Sequence, residues 1–163
     1  LMARMLQKVR KVTSLPIIVK LSPEGDVEAQ AKVVEDSGID AISLVNTFRG
    51  MSVDIDTLKP RLGNVYGGLS GPAIKPLALY RVWRVAQSVN VPVIGVGGIA
   101  SAEDAIEFLA VGAKAVEVGT ALFRDPGVVK KIVVGIKEYL ISHQYSNINK
   151  FFDAVHKEVT LWT

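Results

Sequence analysis

The sequence predicts an α/β fold, the C-terminal half of a (β/α)8 TIM barrel, with four parallel strands and flanking helices. Three observations predict it. Four short β-branched runs end in special residues: Lys20-Leu21-Ser22-Pro23, Asn46-Thr47, Gly97-Gly98-Ile99 and Gly119-Thr120-Ala121. Barrels of this kind carry their chemistry where strands pass into loops. A weak internal repeat matches Leu15-Pro16-Ile17-Ile18 to Val91-Pro92-Val93-Ile94, and Ser37-Gly38-Ile39-Asp40-Ala41-Ile42 to Val111-Gly112-Ala113-Lys114-Ala115-Val116. Both copies read strand, loop, helix, glycine cap, strand, which is the βαβ unit with a right-handed crossover. The chain has 163 residues, whereas a complete barrel needs about 250. It opens with Leu1 and is expected to be a piece of a longer protein.

The elements follow in order. Met2 to Val12 reads as the end of an amphipathic helix, stopped at Leu15-Pro16. Ile17 to Leu21 is a strand whose apolar run without alternation suits a parallel sheet. Asp26 to Ser37 is a helix, and Gly38 caps it. Ala41 to Val45 is the second strand. The segment 46–74, rich in Gly and Pro, reads as one long loop, a candidate lid. Helix resumes from Lys75 to about Val89. Val93 to Val96 is the third strand, Ala102 to Val111 a helix capped by Gly112, and Ala115 to Val118 the fourth strand. A helix from Pro126 to Ser142 closes the regular part, and Ser146 to Lys157 adds a terminal helix with Ser146 or Asn147 as N-cap. The expected division is a half-barrel over 1–145 and a C-terminal helix or tail over 146–163.

Composition removes several classes of function. Hydrophobic residues make up 49%, which excludes a disordered chain. The apolar runs are too short to span a membrane. The absence of cysteine excludes a disulfide or a cysteine-ligated iron–sulfur cluster within this chain. A net charge of +3 on scattered Lys and Arg, without interleaved aromatics, gives no nucleic-acid signal. His143 and His156 read as surface residues, and no metal-ligand spacing is present. The expected location is the cytoplasm.

Four groups of residues carry the chemistry. Gly97-Gly98 and Gly119-Thr120 end the last two strands, where barrels of this kind bind phosphate if these strands are the seventh and eighth. Glycine lets the backbone approach an anion closely. The competing reading is two tight turns that need small residues. Lys20 lies in an apolar strand beside its end, where a cation would be costly without an anion; it suits a cofactor ring that gains negative charge, or it snorkels to the rim. Asn46 and Thr47 offer an amide and a hydroxyl, fit for a planar polar ring with imide-like edges or for turn capping. Gly67-Gly68-Leu69-Ser70-Gly71-Pro72 lines a ligand or forms a hinge. Tyr139 and Trp83 fit helix core faces.

These motifs, with Val45-Asn46-Thr47 and Gly67-Gly68-Leu69-Ser70-Gly71-Pro72-Ala73-Ile74-Lys75-Pro76, resemble the C-terminal half of dihydroorotate dehydrogenase. The glycine motif is most similar to the catalytic subunit of the NAD-linked class 1B type. The resemblance covers about residues 3 to 145 and implies an FMN barrel that oxidises dihydroorotate to orotate in pyrimidine synthesis. It implies that Lys20 contacts the flavin ring, Val45 lies under it and Gly71 approaches it. It places Gly97, Gly98, Gly119 and Thr120 at the phosphate, and Asn46 and Thr47 at the orotate ring. It also implies a cysteine base on a loop upstream of this chain, and a partner subunit with FAD and an iron–sulfur cluster. The chain has no cysteine, so no catalytic residue is assigned within it, and it is expected to be inactive alone.

Alternatives stay open. The pyrimidine-reducing barrel of dihydropyrimidine dehydrogenase has a similar glycine motif. The two glycine turns alone would also fit another phosphate-binding barrel enzyme, such as an isomerase or synthase. A non-catalytic half-barrel would self-associate through its open strand edges, giving a homo-oligomer. Phe151-Phe152 and Trp162 either pack on the half-barrel flank or decorate the terminus.

Overall fold

The computed structural model describes residues 1 to 159, so Trp162 lies outside the described residues. Helix α1 (Met2–Val12) leads into strand β1 (Ile18–Leu21), helix α2 (Val27–Asp36) and strand β2 (Ala41–Leu44). A projecting arm follows, made of β3 (Phe48–Met51), β4 (Val53–Asp54), β5 (Lys59–Pro60) and β6 (Tyr66–Leu69). A 3-10 turn (Pro72–Ile74) enters α3 (Lys75–Ser88). Then come β7 (Val93–Val96), α4 (Ala102–Ala110), β8 (Ala115–Glu117), a second 3-10 turn (Thr120–Phe123), α5 (Val128–Ser142) and α6 (Ile148–Val159).

The main sheet is parallel throughout and runs β1-β2-β7-β8. This is the four-stranded half-barrel that the repeat predicts, in chain order. Lys20 pairs with Ser43 and Ser43 with Ile94, while Leu21, Leu44, Gly95 and Val116 form the adjacent row. Side chains alternate between faces along a strand. The outer row therefore meets the helices, and Leu21, Ile42, Leu44 and Val93 are buried there. Helices supply Val27, Ala31 and Val34 from α2, Ala78, Val82 and Val85 from α3, and Ala105 and Phe108 from α4. The inner row carries Ile18, Lys20, Ser43 and Ile94, and Ile18 is 54% exposed at the β1 edge.

Local chemistry sets the element ends. Asp26 caps α2 by accepting from the Ala29 N–H at 2.9 Å, and Gly38 follows its end with φ +72°. Ser101 and Asp104 form a reciprocal capping box on α4. Asn147 accepts from the Lys150 N–H at 3.1 Å at the start of α6. Asp40 accepts from Arg10 and from the Ile17 N–H, both at 2.7 Å, which ties α1 and the β1 entry to the β2 entry. Phe151 on α6 is buried edge-on against Tyr139 and Tyr145. Residues 148–159 are thus packed on the helical layer through Phe151. Trp83 packs partly buried against the core.

The structure corrects one element. The segment 46–74 is not an unstructured lid. Phe48–Met51 pairs antiparallel with Tyr66–Leu69, and Val53–Asp54 with Lys59–Pro60. Gly50 faces Gly67 and Arg49 faces Gly68 in this ladder. Glycines weaken the usual side-chain signature of a strand, which hides the ribbon in the sequence.

Gly95 tests the packing of sheet on helix. A Cβ there would lie 2.6 Å from Phe108 Cδ1. Gly95→Ala should lower stability by about 1–3 kcal/mol. Urea unfolding would read this as a lower midpoint at unchanged slope; an unchanged midpoint would contradict the packing.

Candidate functional site

Parallel order places the carboxyl ends of all four strands on one rim. Two hydrogen bonds extend the ladder beyond the regular strands: Val45 N–H to Val96 O at 2.8 Å, and Asn46 N–H to Leu21 O at 2.9 Å. The rim surrounds a cleft of about 560 Å³, within the range of roughly 300–1,000 Å³ typical of ligand pockets. Lys20, Val45, Asn46, Thr47, Gly71, Gly97, Gly98, Gly119 and Thr120 all line it. These nine residues therefore meet in one place, whereas Gly67, Gly68 and Leu69 of the glycine motif do not line the cleft.

The glycines fall into two kinds. Gly71, Gly97 and Gly98 have φ of +87°, +134° and +83°. A Cβ on Gly97 would lie 2.8 Å from Ala78 Cβ, and one on Gly98 2.8 Å from the Gly71 carbonyl oxygen. The turn itself demands glycine at both. Gly119 differs: a Cβ there would meet nothing within 4 Å. The chain's own packing gives no reason for a glycine at this wall of the cleft. The N–H groups of Gly98, Ile99 and Gly119 have no partner among the described residues. These are donors of the kind an anion takes.

Other walls are held by short contacts. Thr120 Oγ1 donates to Ser70 Oγ at 2.8 Å, joining the turn after β8 to the glycine motif. Asn46 Oδ1 accepts from the Thr47 N–H at 2.8 Å. The turn-capping reading of Asn46 is thus realised through Oδ1, while Nδ2 has no hydrogen-bond partner among the described residues. A Cβ on Gly68 would lie 2.3 Å from Thr47 Oγ1, so that glycine makes room for the Thr47 side chain.

Lys20 stands at the open rim, as one of its two sequence readings expects. It is not buried: its side chain is 47% exposed at the edge strand, with Nζ 3.7 Å from Glu117 Oε2. Such an exposed pair contributes little to stability. Glu117, Arg124 and Asp125 also line the cleft and were not singled out from the sequence. Glu117 had the same signal as Lys20, a charge inside an apolar strand. Arg124 ends the 3-10 turn that begins at Thr120 and brings a cationic residue to the cleft lining. Asp125 is engaged by Lys131 at 2.6 Å and the Gly127 N–H at 2.9 Å, which hold its carboxyl below the ordinary range. His143 and His156 are exposed. Among the described residues there is no metal-binding cluster of His, Cys, Asp and Glu, and no helix long and apolar enough to cross a membrane.

The fold is that of one half of a (β/α)8 barrel, with its cleft at the carboxyl ends of the strands. A family model described as dihydroorotate dehydrogenase matches residues 1–140. The chain is 47% identical over 155 residues to a dihydroorotate dehydrogenase B (NAD(+)) catalytic subunit of Desulforamulus reducens, covering 94% of this chain and 51% of that protein. It is 49% identical to the protein of the same name from Thermodesulfovibrio yellowstonii, covering 94% and 51%. The corresponding Citrifermentans bemidjiense subunit is 49% identical, covering 90% and 48%. The chain belongs to the dihydroorotate dehydrogenase family and spans about half the length of the curated relatives it matches.

Gly68→Ala should displace the Thr47 side chain while leaving the main sheet in place. A crystal structure of the variant checks this: Thr47 moved away from the cleft wall is expected, and an unmoved Thr47 would contradict the contact.

Proposed function

We propose that the chain is the C-terminal half of an FMN-dependent dihydroorotate dehydrogenase of the NAD-linked type, which oxidises dihydroorotate to orotate. The convergence of nine motif residues on one cleft carries this reading. The names of its relatives support it. Three features fit FMN: turns with free N–H groups for a phosphate, the apolar Val45 for the ring's face, and the cation of Lys20 on the same rim.

When bound, FMN supplies the acceptor for the hydride that leaves C6 of the substrate. Gly97, Gly98, Gly119 and Thr120 would hold its phosphate end, and Gly71 would approach it from the glycine motif. Lys20 would place its positive charge where the reduced ring becomes anionic, stabilising that charge. Asn46 Nδ2 would donate to a carbonyl of the orotate ring, with Thr47 beside it. The base that takes the C5 proton would be a cysteine in the other half, since this chain has none. A separate subunit with FAD and an iron–sulfur cluster would pass electrons to NAD, and the assembly would be cytoplasmic. The chain alone would retain the phosphate side and lack turnover. Among the described residues β1 and β8 have no neighbour on their outer edges, and such edges favour association with a second copy when the other half is missing; sedimentation of the isolated chain tests this, and a monomer at high concentration would refute it.

Gly119 gives the sharper test of the phosphate site, because Gly98 is required by its own turn. In the full-length protein, Gly119→Ala should weaken FMN retention while leaving the melting temperature of the flavin-free form unchanged. Unaltered flavin content would remove Gly119 from the cofactor site. Asn46→Ala should keep FMN and lose orotate affinity by roughly 5- to 150-fold, the effect of leaving a buried polar group unpaired. Orotate titration against flavin absorbance reads both, and loss of flavin with unchanged orotate affinity would reverse the assigned role.

A further inference from the structure

The Gly97–Gly98 turn lies directly against the turn that leads from Gly71 into α3. A Cβ on Gly98 would stand 2.8 Å from the Gly71 carbonyl oxygen, and 2.9 Å from both the backbone nitrogen and Cβ of Lys75. Such close approach needs something to hold the two turns together. Lys75, in the first turn of α3, donates from Nζ to Asp104 Oδ1 at 2.7 Å and to Glu107 Oε1 at 3.0 Å, both on α4. The other Asp104 oxygen, Oδ2, accepts from the Ala100 N–H at 2.9 Å and the Ser101 N–H at 3.0 Å. One carboxylate thus binds the ammonium on one side and the end of the Gly97–Gly98 turn on the other. Asp104 takes these two N–H groups, while those of Gly98 and Ile99 have no partner among the described residues. Neither Lys75 nor Asp104 lines the cleft.

We propose that the Lys75–Asp104 pair is a positioning device that fixes the Gly97–Gly98 turn against the Gly71 turn and so sets the spacing of the donors that receive the flavin phosphate. The inference rests on the flavin reading of the cleft. The pair is half-buried, with the Lys75 and Asp104 side chains 26% and 17% exposed, so its attraction is less screened than that of a surface pair. Burial alone would raise the Asp104 carboxyl. Lys75 and the Ala100 and Ser101 N–H groups outweigh burial and hold it below its ordinary value, which keeps the clamp charged at neutral pH. Lys75 is bound by two carboxylates, Asp104 and then Glu107, which raise its pKa. That engagement argues against a direct bond from Lys75 to phosphate.

The test compares FMN with riboflavin, which lacks the phosphate, by flavin fluorescence titration of the full-length protein. Wild type should bind FMN more tightly. K75M and D104N should each weaken FMN by roughly tenfold, as expected for coupled neighbours, and leave riboflavin unchanged. The double variant should be no worse than the weaker-binding single variant, and K75R should restore FMN affinity. Unchanged riboflavin affinity also shows that the variants fold. Three results would overturn the inference: FMN affinity unaltered in K75M, FMN binding tightened in D104N by a lysine freed to reach the phosphate, or equal loss of both flavins. If wild type itself binds the two flavins equally, the phosphate reading of the cleft fails first and the inference falls with it.

Discussion

Parallel pairing of β1, β2, β7 and β8 is the constraint on which the rest of the molecule depends. A parallel ladder sends every carboxyl end to the same rim, whatever the intervening helices do. The two hydrogen bonds that carry the ladder past the strands, at Val45 and Asn46, fix the side chains next to the opening. Four segments far apart in sequence then share one cleft. The helices matter chiefly as the outer cover that holds the ladder in register, with Phe108 seated on Gly95 and the α3 residues Ala78, Val82 and Val85 fully buried.

Around the rim, glycine performs two different tasks. At Gly97 and Gly98 it permits a left-handed backbone and a contact of turn on turn that no Cβ could share. At Gly119 neither demand exists, and the space beside it belongs to the cleft. The distinction separates glycines that the turns require from one that the described packing leaves free. The same logic applies to Gly68, which yields space to Thr47 and not to a ligand.

Much of this was legible in the sequence. Strands β1, β2, β7 and β8 lay within a residue or so of their expected limits, because β-branched runs, caps and the internal repeat agreed with one another. The site was legible as motifs at strand ends. The arm was not: Gly50, Gly67 and Gly68 lie in its ladder and contribute no alternating side chains, so a paired ribbon read as loop. The sequence left two positions open for Lys20, and only the fold chooses between them. An apolar neighbourhood in sequence suggests burial, but β1 is an edge strand and its inner face is open. Glu117 escaped notice because its partner, Lys20, is 97 positions away, close only through the fold. The clamp of Lys75 on Asp104 was invisible for the same reason, although the capping pattern of Ser101 and Asp104 stood in plain view.

The central claim is that this cleft receives FMN with its phosphate at the turns after β7 and β8. A crystal structure of the full-length protein grown with FMN tests it most directly. The account predicts the phosphate within hydrogen-bond distance of the Gly98 and Gly119 backbone N–H groups, with the ring against Val45 and its edge near Lys20. A flavin bound elsewhere, or a phosphate turned away from both glycine turns while the cleft holds another molecule, would contradict it.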